Sequence, residues 1–274
     1  MNPLDIAIIQ EYIDSKEAEI SFYYASLGDL REIHEINATR QTSAAGTSRI
    51  PILLEAFRQV EARELKLAQR VEIEAHNRVK GSRTEELNKD DYSLLELMRW
   101  MILVKDGSAT NQIIDLVGMD RINSFCQSLG LEQTVLRRKM NDYDARLDGE
   151  DNLCSAHDMG EMTRMIFLES VPHDDDTPLS SFMSRQAVAL MRECRDTKGM
   201  LRHIPWTVSC AHQAGQLESY GGKPNVVQDV GIVYATGGTY ALAVFVEGTA
   251  TIKEGKKIIG EIGREVYSQA LYTP

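Results

Sequence analysis

Residues 43 to 58 read Ser43-Ala44-Ala45-Gly46-Thr47-Ser48-Arg49-Ile50-Pro51-Ile52-Leu53-Leu54-Glu55-Ala56-Phe57-Arg58. A run of small residues gives way to Ile50, Leu53, Leu54 and Phe57, apolar positions at helical spacing. Pro51 suits a first helical turn, where its missing N–H has no intrahelical partner to lose. Residues 46 to 50 therefore sit at the N-terminus of a helix. Free N–H groups and the dipole there favour an anion or an activated nucleophile.

Outward from this stretch, the chain begins with an amphipathic pattern over 3–16, with Ile6, Ile9, Tyr12 and Ile13 on one face. Strand patterns at 19–27 and 31–37 flank Gly28-Asp29, a hairpin signal. From about 50 to 205 the pattern is mainly helical. Segments are expected at 51–62, 94–105, from Thr110 onward, and at 119–129, 156–168 and 181–195. Polar loops separate them, notably 141–152 and the acidic Pro172-His173-Asp174-Asp175-Asp176. Residues 226–234 and 240–246 are rich in β-branched side chains, with Thr236-Gly237-Gly238 between them as a second hairpin signal. A last amphipathic helix is expected over 252–272.

Helix, strands, helices, strands, helix is an α+β arrangement, an antiparallel sheet flanked by terminal helices plus an all-helical lobe. One domain is expected over 1–274, with an α/β lobe from about 1–40 and 206–274 and a helical lobe of about 41–205.

The 274 residues are enough for a substantial core, and 43% hydrophobic with 26% charged residues is ordinary globular composition. A net charge of −11 argues against a nucleic-acid or anionic-membrane binder, whose affinity rests on basic surface. The first ten residues lack the basic start and long apolar core of a signal peptide, so a cytoplasmic protein is expected. Cys126, Cys154, Cys194 and Cys210 show no paired spacing and read as reduced thiols. The six histidines are scattered, so neither a metal nor a cofactor is expected.

Three short stretches carry chemistry. The first is Gly46-Thr47-Ser48-Arg49. The second is Met101-Ile102-Leu103-Val104-Lys105-Asp106-Gly107-Ser108-Ala109-Thr110-Asn111. The third is His212-Gln213-Ala214-Gly215, followed by Gln228-Asp229-Val230-Gly231-Ile232-Val233-Tyr234. In order and spacing these resemble the class A β-lactamase and penicillin-binding-protein superfamily. Its motifs are S-x-x-K before an Ile-Pro-Ile-Leu-like helix, S-D-N inside M-I-x-x-S-D-N-x-A-T-N, and K-T-G before a D-V-G-I-V strand. The resemblance implies a β-lactamase/transpeptidase-like fold with its site in the cleft between lobes.

Laid on those motifs, the nucleophilic serine falls on Gly46 and the lysine base on Arg49. The S-D-N positions are Lys105, Asp106 and Gly107, and the K-T-G positions are Gln213, Ala214 and Gly215. The deacylating glutamate of class A enzymes corresponds to Met140, in Thr134-Val135-Leu136-Arg137-Arg138-Lys139-Met140. Acyl transfer needs a hydroxyl that hands its proton to a nearby base. Glycine has no hydroxyl, and a guanidinium stays protonated at neutral pH. Thr47 and Ser48 are displaced around the helix from residue 46 by about 100° and 200°, and read as capping or packing residues.

In the family the S-D-N serine lies against the K-T-G lysine. The resemblance thus implies that the longer Lys105 side chain reaches toward the place that lysine left at Gln213. The expectation is a catalytically degenerate protein, a pseudoenzyme that does not open β-lactams by the serine acyl-enzyme route. It would bind a small anionic ligand or a protein partner with Arg49, Lys105, Asp106 and Gln213. Two alternatives stand beside it. One is a hydrolase or acyl-transfer enzyme using a rearranged site, with Lys105 or Asp106 as acid or base. The other is a structural or interaction protein whose cleft is filled by its own side chains, with Arg49 and Lys105 paired to buried acids. Asn152 is expected to cap the next element, and Trp100 and Trp206 to pack, Trp206 with the option of lining the cleft.

Overall fold

The computed structural model describes residues 3–28, 32–87, 89, 91–170 and 179–271. Asp29, Arg31, the acidic loop 172–176 and Tyr272, all named above, lie outside them. In chain order the first elements are α1 (Ile6–Asp14), β1 (Glu19–Ser26), β2 (Ile33–Ile36) and β3 (Thr42–Ser43). After a turn of 3-10 helix at Gly46–Ser48 come α2 (Arg49–Glu61), β4 (Arg70–Glu72), α3 (Arg83–Glu86), β5 (Asp91–Ser93), α4 (Leu94–Leu103), α5 (Gly107–Val117) and α6 (Met119–Ser128). Next are α7 (Tyr143–Leu147), β6 (Leu153–Cys154), α8 (Ala156–Ser170) and α9 (Ser181–Met191). The chain closes with β7 (Ser209–Leu217), β8 (Val226–Ala235), β9 (Gly238–Glu247) and α10 (Ile252–Leu271).

An antiparallel sheet runs β2-β1-β9-β8-β7, so the two ends of the chain build one sheet. Alternation along the strands splits its side chains between two cores. Tyr23, Ala25, Ala211, Val230, Ile232, Ala241, Ala243 and Phe245 join the core under the helical lobe, where α2 is buried at Ile50, Ile52, Leu53, Leu54 and Phe57. Phe22, Tyr24, Val227, Val233, Leu242, Val244 and Val246 join a second core, closed by Ile9 and Ile13 of α1 and by Ile258, Ile259, Ile262 and Val266 of α10. Gly160 of α8 lies so close to Tyr23 that an added Cβ would stand 2.1 Å from the ring, which draws that helix onto the sheet.

The expected helices and strands are present, with three departures. Helix α5 opens at Gly107 rather than Thr110, because the Asp106 carboxylate accepts the Ala109 N–H at 2.8 Å and caps it. Trp206 is 94% exposed and neither packs nor lines a cleft. Asn152 holds a loop rather than a helix: its Oδ1 accepts the N–H groups of Arg137 and Arg138, and its Nδ2 donates to the Arg138 carbonyl. All four cysteines are free thiols. Among the described residues no helix is long and apolar enough to cross a membrane.

Candidate functional site

The 3-10 turn at Gly46–Ser48 is fixed from the sheet side by one residue of β8. Gln228 Oε1 accepts the Ala45 N–H at 3.0 Å and the Thr47 hydroxyl at 2.8 Å, while its Nε2 donates to the Ser43 carbonyl at 2.9 Å. The Ser48 hydroxyl donates to the Ala45 carbonyl at 2.9 Å. Both hydroxyls beside Gly46 therefore serve local structure, Thr47 against the sheet and Ser48 within its own turn.

At Gly46 the strand β7 and the turn meet backbone to backbone. A Cβ on Gly46 would stand 2.6 Å from the Ala214 carbonyl oxygen, 2.8 Å from the Gly215 Cα and 2.9 Å from Arg49 Nη1. A Cβ on Gly215 would stand 2.2 Å from the Gly46 nitrogen. Contacts this short to backbone cannot be relieved by turning a side chain. A β-carbon at either position requires β7 or the helix start to move. A third position is also covered, since a Cβ on Gly107 would meet Val79 at 3.1 to 3.2 Å.

Arg49 is buried beneath this contact. Its Nε donates to the Thr110 hydroxyl at 3.2 Å, Nη2 to the Lys105 carbonyl at 3.0 Å and Nη1 to the Gly46 carbonyl at 3.4 Å. Burial lowers its pKa to about 10, with the charges of Asp106 and Cys194 acting against that fall. It remains a cation at neutral pH, committed to backbone and hydroxyl acceptors.

Lys105 adopts a left-handed backbone conformation, φ 61°. Its ammonium pairs with Asp196 at 2.6 Å, where Lys256 joins at 3.0 Å, the pairing to an acid that the sequence held as an alternative. Burial works against the Asp196 charge, yet the two ammoniums hold its carboxyl well below the ordinary range. Gln213, fully buried, turns its Nε2 to the Ala214 carbonyl at 3.2 Å. Among the described residues its Oε1 has no hydrogen-bond partner. Asp106 is also committed: besides capping α5, it accepts the Thr84 N–H at 2.8 Å and the Thr84 hydroxyl at 3.0 Å. Met140 is tied by its backbone, its N–H donating to Asn111 Oδ1 at 2.7 Å.

The structure thus brings Gly46, Arg49, Lys105, Ala214 and Gly215 together, with no room for a β-carbon at either Gly46 or Gly215. Open volume lies alongside. A crevice of about 340 Å³ is lined by Val79, Lys80, Ser82, Arg83, Lys105 and Asn141 among others. Arg83 there pairs with Glu86. Gln228, Thr110 and Asp196 organise this region and were missed in the sequence. Gln228 had a signal, because it immediately precedes the Asp-Val-Gly-Ile-Val strand already singled out.

A family model described as the β-lactamase enzyme family matches residues 6–270. No curated protein sequence matches the chain. Among solved structures, it is similar to a β-lactamase from Sphaerobacter thermophilus, with 23% identity, 99% of this chain and 100% of that one covered, and a TM-score of 0.84. It is similar to a variant of PBP-A solved as an acyl-enzyme complex with penicillin G, with 24% identity, 96% and 94% covered, and a TM-score of 0.83. A β-lactamase from Chitinophaga pinensis gives 18% identity, 96% and 98% covered, and a TM-score of 0.86. At these identities the likeness to solved structures establishes the fold.

Proposed function

The chain belongs to the β-lactamase enzyme family, and on that premise we propose that it is a non-hydrolytic member, a pseudoenzyme whose motif cleft holds the two lobes together instead of a substrate. One observation carries this reading: the nucleophile position is a glycine whose α-carbon is pressed against the Ala214–Gly215 backbone. No hydroxyl stands there, and the β-carbon of a serine would meet the Ala214 carbonyl oxygen at 2.6 Å. Arg49 in the base position holds its proton, so the transfer that activates a nucleophile has no acceptor. Asp106 is spent as a cap, which removes it as acid or base in a rearranged site. The free thiols support a reducing compartment, and with it the cytoplasm.

The test is covalent labelling with a fluorescent penicillin, followed by intact-mass measurement. No adduct is expected after prolonged incubation. A penicilloyl adduct on any side chain around Gly46 would overturn the reading.

A second reading, binding of a small anion, is favoured by the crevice beside the motifs rather than by the motifs themselves. Lys80, Arg83 and Lys105 line its 340 Å³ together with Glu86 and Asp106, and Lys80 is the cation there that the ion pairs above do not engage. A thermal-shift screen of carboxylates and phosphates addresses it. A rise of Tm that disappears with Lys80→Ala supports anion binding there, while no shift at millimolar concentration leaves the self-filled protein as the sole reading.

A further inference from the structure

Beside the crevice of Arg83 lies a second one of about 480 Å³, a size that suits a small molecule. Its wall includes His76, Arg78, Lys80, Lys139, Asn141 and Tyr143. The two crevices share Val79, Lys80 and Asn141, while Arg83 lines only the first and Arg78, Lys139 and Tyr143 only the second. Of the positions laid on the catalytic motifs, Met140 alone reaches this wall.

The cations here come from separate segments and keep donors to spare. Lys139 is fixed in place, its ammonium donating to Asn77 Oδ1 at 2.6 Å and to Asp115 Oδ2 at 2.7 Å. Asn77 is itself wholly buried, with its Nδ2 on Gln112 Oε1 at 2.9 Å and on Asp115 Oδ2 at 2.7 Å. His76 Nε2 meets that same Asp115 oxygen at 2.8 Å. An ammonium has three N–H donors, so Lys139 keeps one. Arg78 spends one N–H on Glu85 at 3.1 Å, out of the five a guanidinium carries. Among the described residues the Lys80 side chain makes no ion pair or hydrogen bond. Neither Asp115 nor Glu85 lines the crevice. Among the described residues the one acid on the wall is Asp142, whose carboxylate caps α7 by accepting the Ala145 N–H at 3.0 Å. In a chain of net charge −11, a crevice walled this way is a local concentrator of anions.

The same wall carries an aromatic ring. Tyr143, at the start of α7, is 38% exposed, and Tyr220 from the β7–β8 loop braces it with ring centroids 5.3 Å apart at 55°. A braced, half-open ring offers a face on which a planar base can stack. Asn141, in a left-handed backbone conformation, adds a side-chain amide without a partner among the described residues, able to donate and accept at the edge of such a base.

We propose that this crevice binds a nucleoside phosphate, with the phosphate against Arg78, Lys80 and Lys139 and the base on Tyr143. Three cations from separate segments match a phosphate better than a carboxylate. A phosphate group carries up to about two charges and three acceptor oxygens, whereas one guanidinium satisfies a carboxylate. This ligand extends the anion reading above, on which it rests in part, to residues that the first crevice does not contain.

Titration calorimetry of the full chain with ADP tests it, beside pyrophosphate and adenosine at physiological ionic strength. One site per chain is expected, and ADP should bind roughly fivefold more tightly than pyrophosphate. Arg78→Ala should weaken ADP roughly tenfold, as the loss of a hydrogen bond to a charged group does. Tyr143→Ala should weaken ADP roughly fivefold and leave pyrophosphate unchanged, and Tyr143→Phe, which keeps the ring, should restore the parent affinity. Arg83→Ala, confined to the first crevice, should leave ADP unchanged. Absence of ADP binding at millimolar concentration overturns the proposal, as does an affinity that Arg78→Ala and Tyr143→Ala both leave intact. Pyrophosphate bound as tightly as ADP, or loss of ADP on Arg83→Ala rather than on Arg78→Ala, overturns it too while leaving a small anion beside the motifs.

Discussion

Strands β7 and β8 present two faces that differ in what has been done with their polar groups. On the face toward the helical lobe, Gln228 and Gly215 meet the turn at Gly46, and nearly every donor and acceptor is spent on holding that contact shut. On the opposite face, His212 and Asp229 form a buried pair with one ring nitrogen that has no partner among the described residues. The first face is where the family's motifs fall, with Gly46 at the position of the nucleophile and Gln213 at that of the lysine. The second carries the residues that flank the third of them, His212 and Asp229.

The largest blow to this contrast comes from adding atoms to the closed face. Gly215→Ala puts a methyl 2.2 Å from the Gly46 nitrogen, and Gly46→Ser puts a Cβ 2.6 Å from the Ala214 carbonyl. Overpacking against backbone is expected to destabilise by about 3 kcal/mol in the first and about 2 kcal/mol in the second. Urea denaturation with an unchanged m-value measures both. Neither Gly46→Ser nor its combination with Arg49→Lys should hydrolyse a chromogenic cephalosporin, because Met140, Lys105 and Gln213 still occupy the other catalytic positions and such groups act as a unit. A Gly46→Ser protein as stable as its parent would mean that the face opens readily.

The second face is tested through pH. In an unfolded chain His212 titrates near 6.5 and Cys194 near about 8.5. In the fold the histidine is raised to about 10 and the thiol lowered. The raised histidine keeps a proton that the unfolded chain loses above about 6.5, so by itself it makes stability fall as pH rises toward about 10. The lowered thiol gives up a proton more readily than it does in the unfolded chain, and acts in the opposite sense. Cys194→Ser removes the opposing group, and the stability of the variant is expected to fall more steeply with rising pH than the parent's between about pH 6.5 and 8.5. Unfolding free energies at a series of pH values decide this, and parallel profiles would dissolve the pair.

What the sequence made legible follows from how far each signal travels along the chain. The helix at Ile50, the β8–β9 hairpin and the amphipathic terminal helix are written in neighbouring residues, and three motif frames in order located the cleft. The closure at Gly46 depends on a strand from the other end of the chain, so the glycine could be read as a missing hydroxyl but not as a missing volume. The sequence leaves the partner of Lys105 open, a ligand or a buried acid, because Asp196 lies in a loop with no pattern of its own. Cys194 is a single cysteine with no spacing to mark it. Trp206 shows the opposite failure, a large apolar residue in sequence that the fold leaves in water.

The smallest effect sharpens the contrast most, because its sign carries the answer. Gln213 stands where the family has a lysine, is fully buried on the closed face, and among the described residues leaves its Oε1 without a partner. A buried acceptor left unsatisfied is destabilising, and its amide N–H finds only the carbonyl of the next residue. Methionine has the same length and no strong polar atoms, so Gln213→Met should stabilise the protein by about 0.5–1 kcal/mol. If instead the motif face stood open to water or to an anion, that carbonyl would be solvated or the amide engaged, and the same change would be neutral or destabilising. A higher urea midpoint for Gln213→Met therefore marks the face as dry and shut, and a lower one would return Gln213 to the list of groups that meet a ligand.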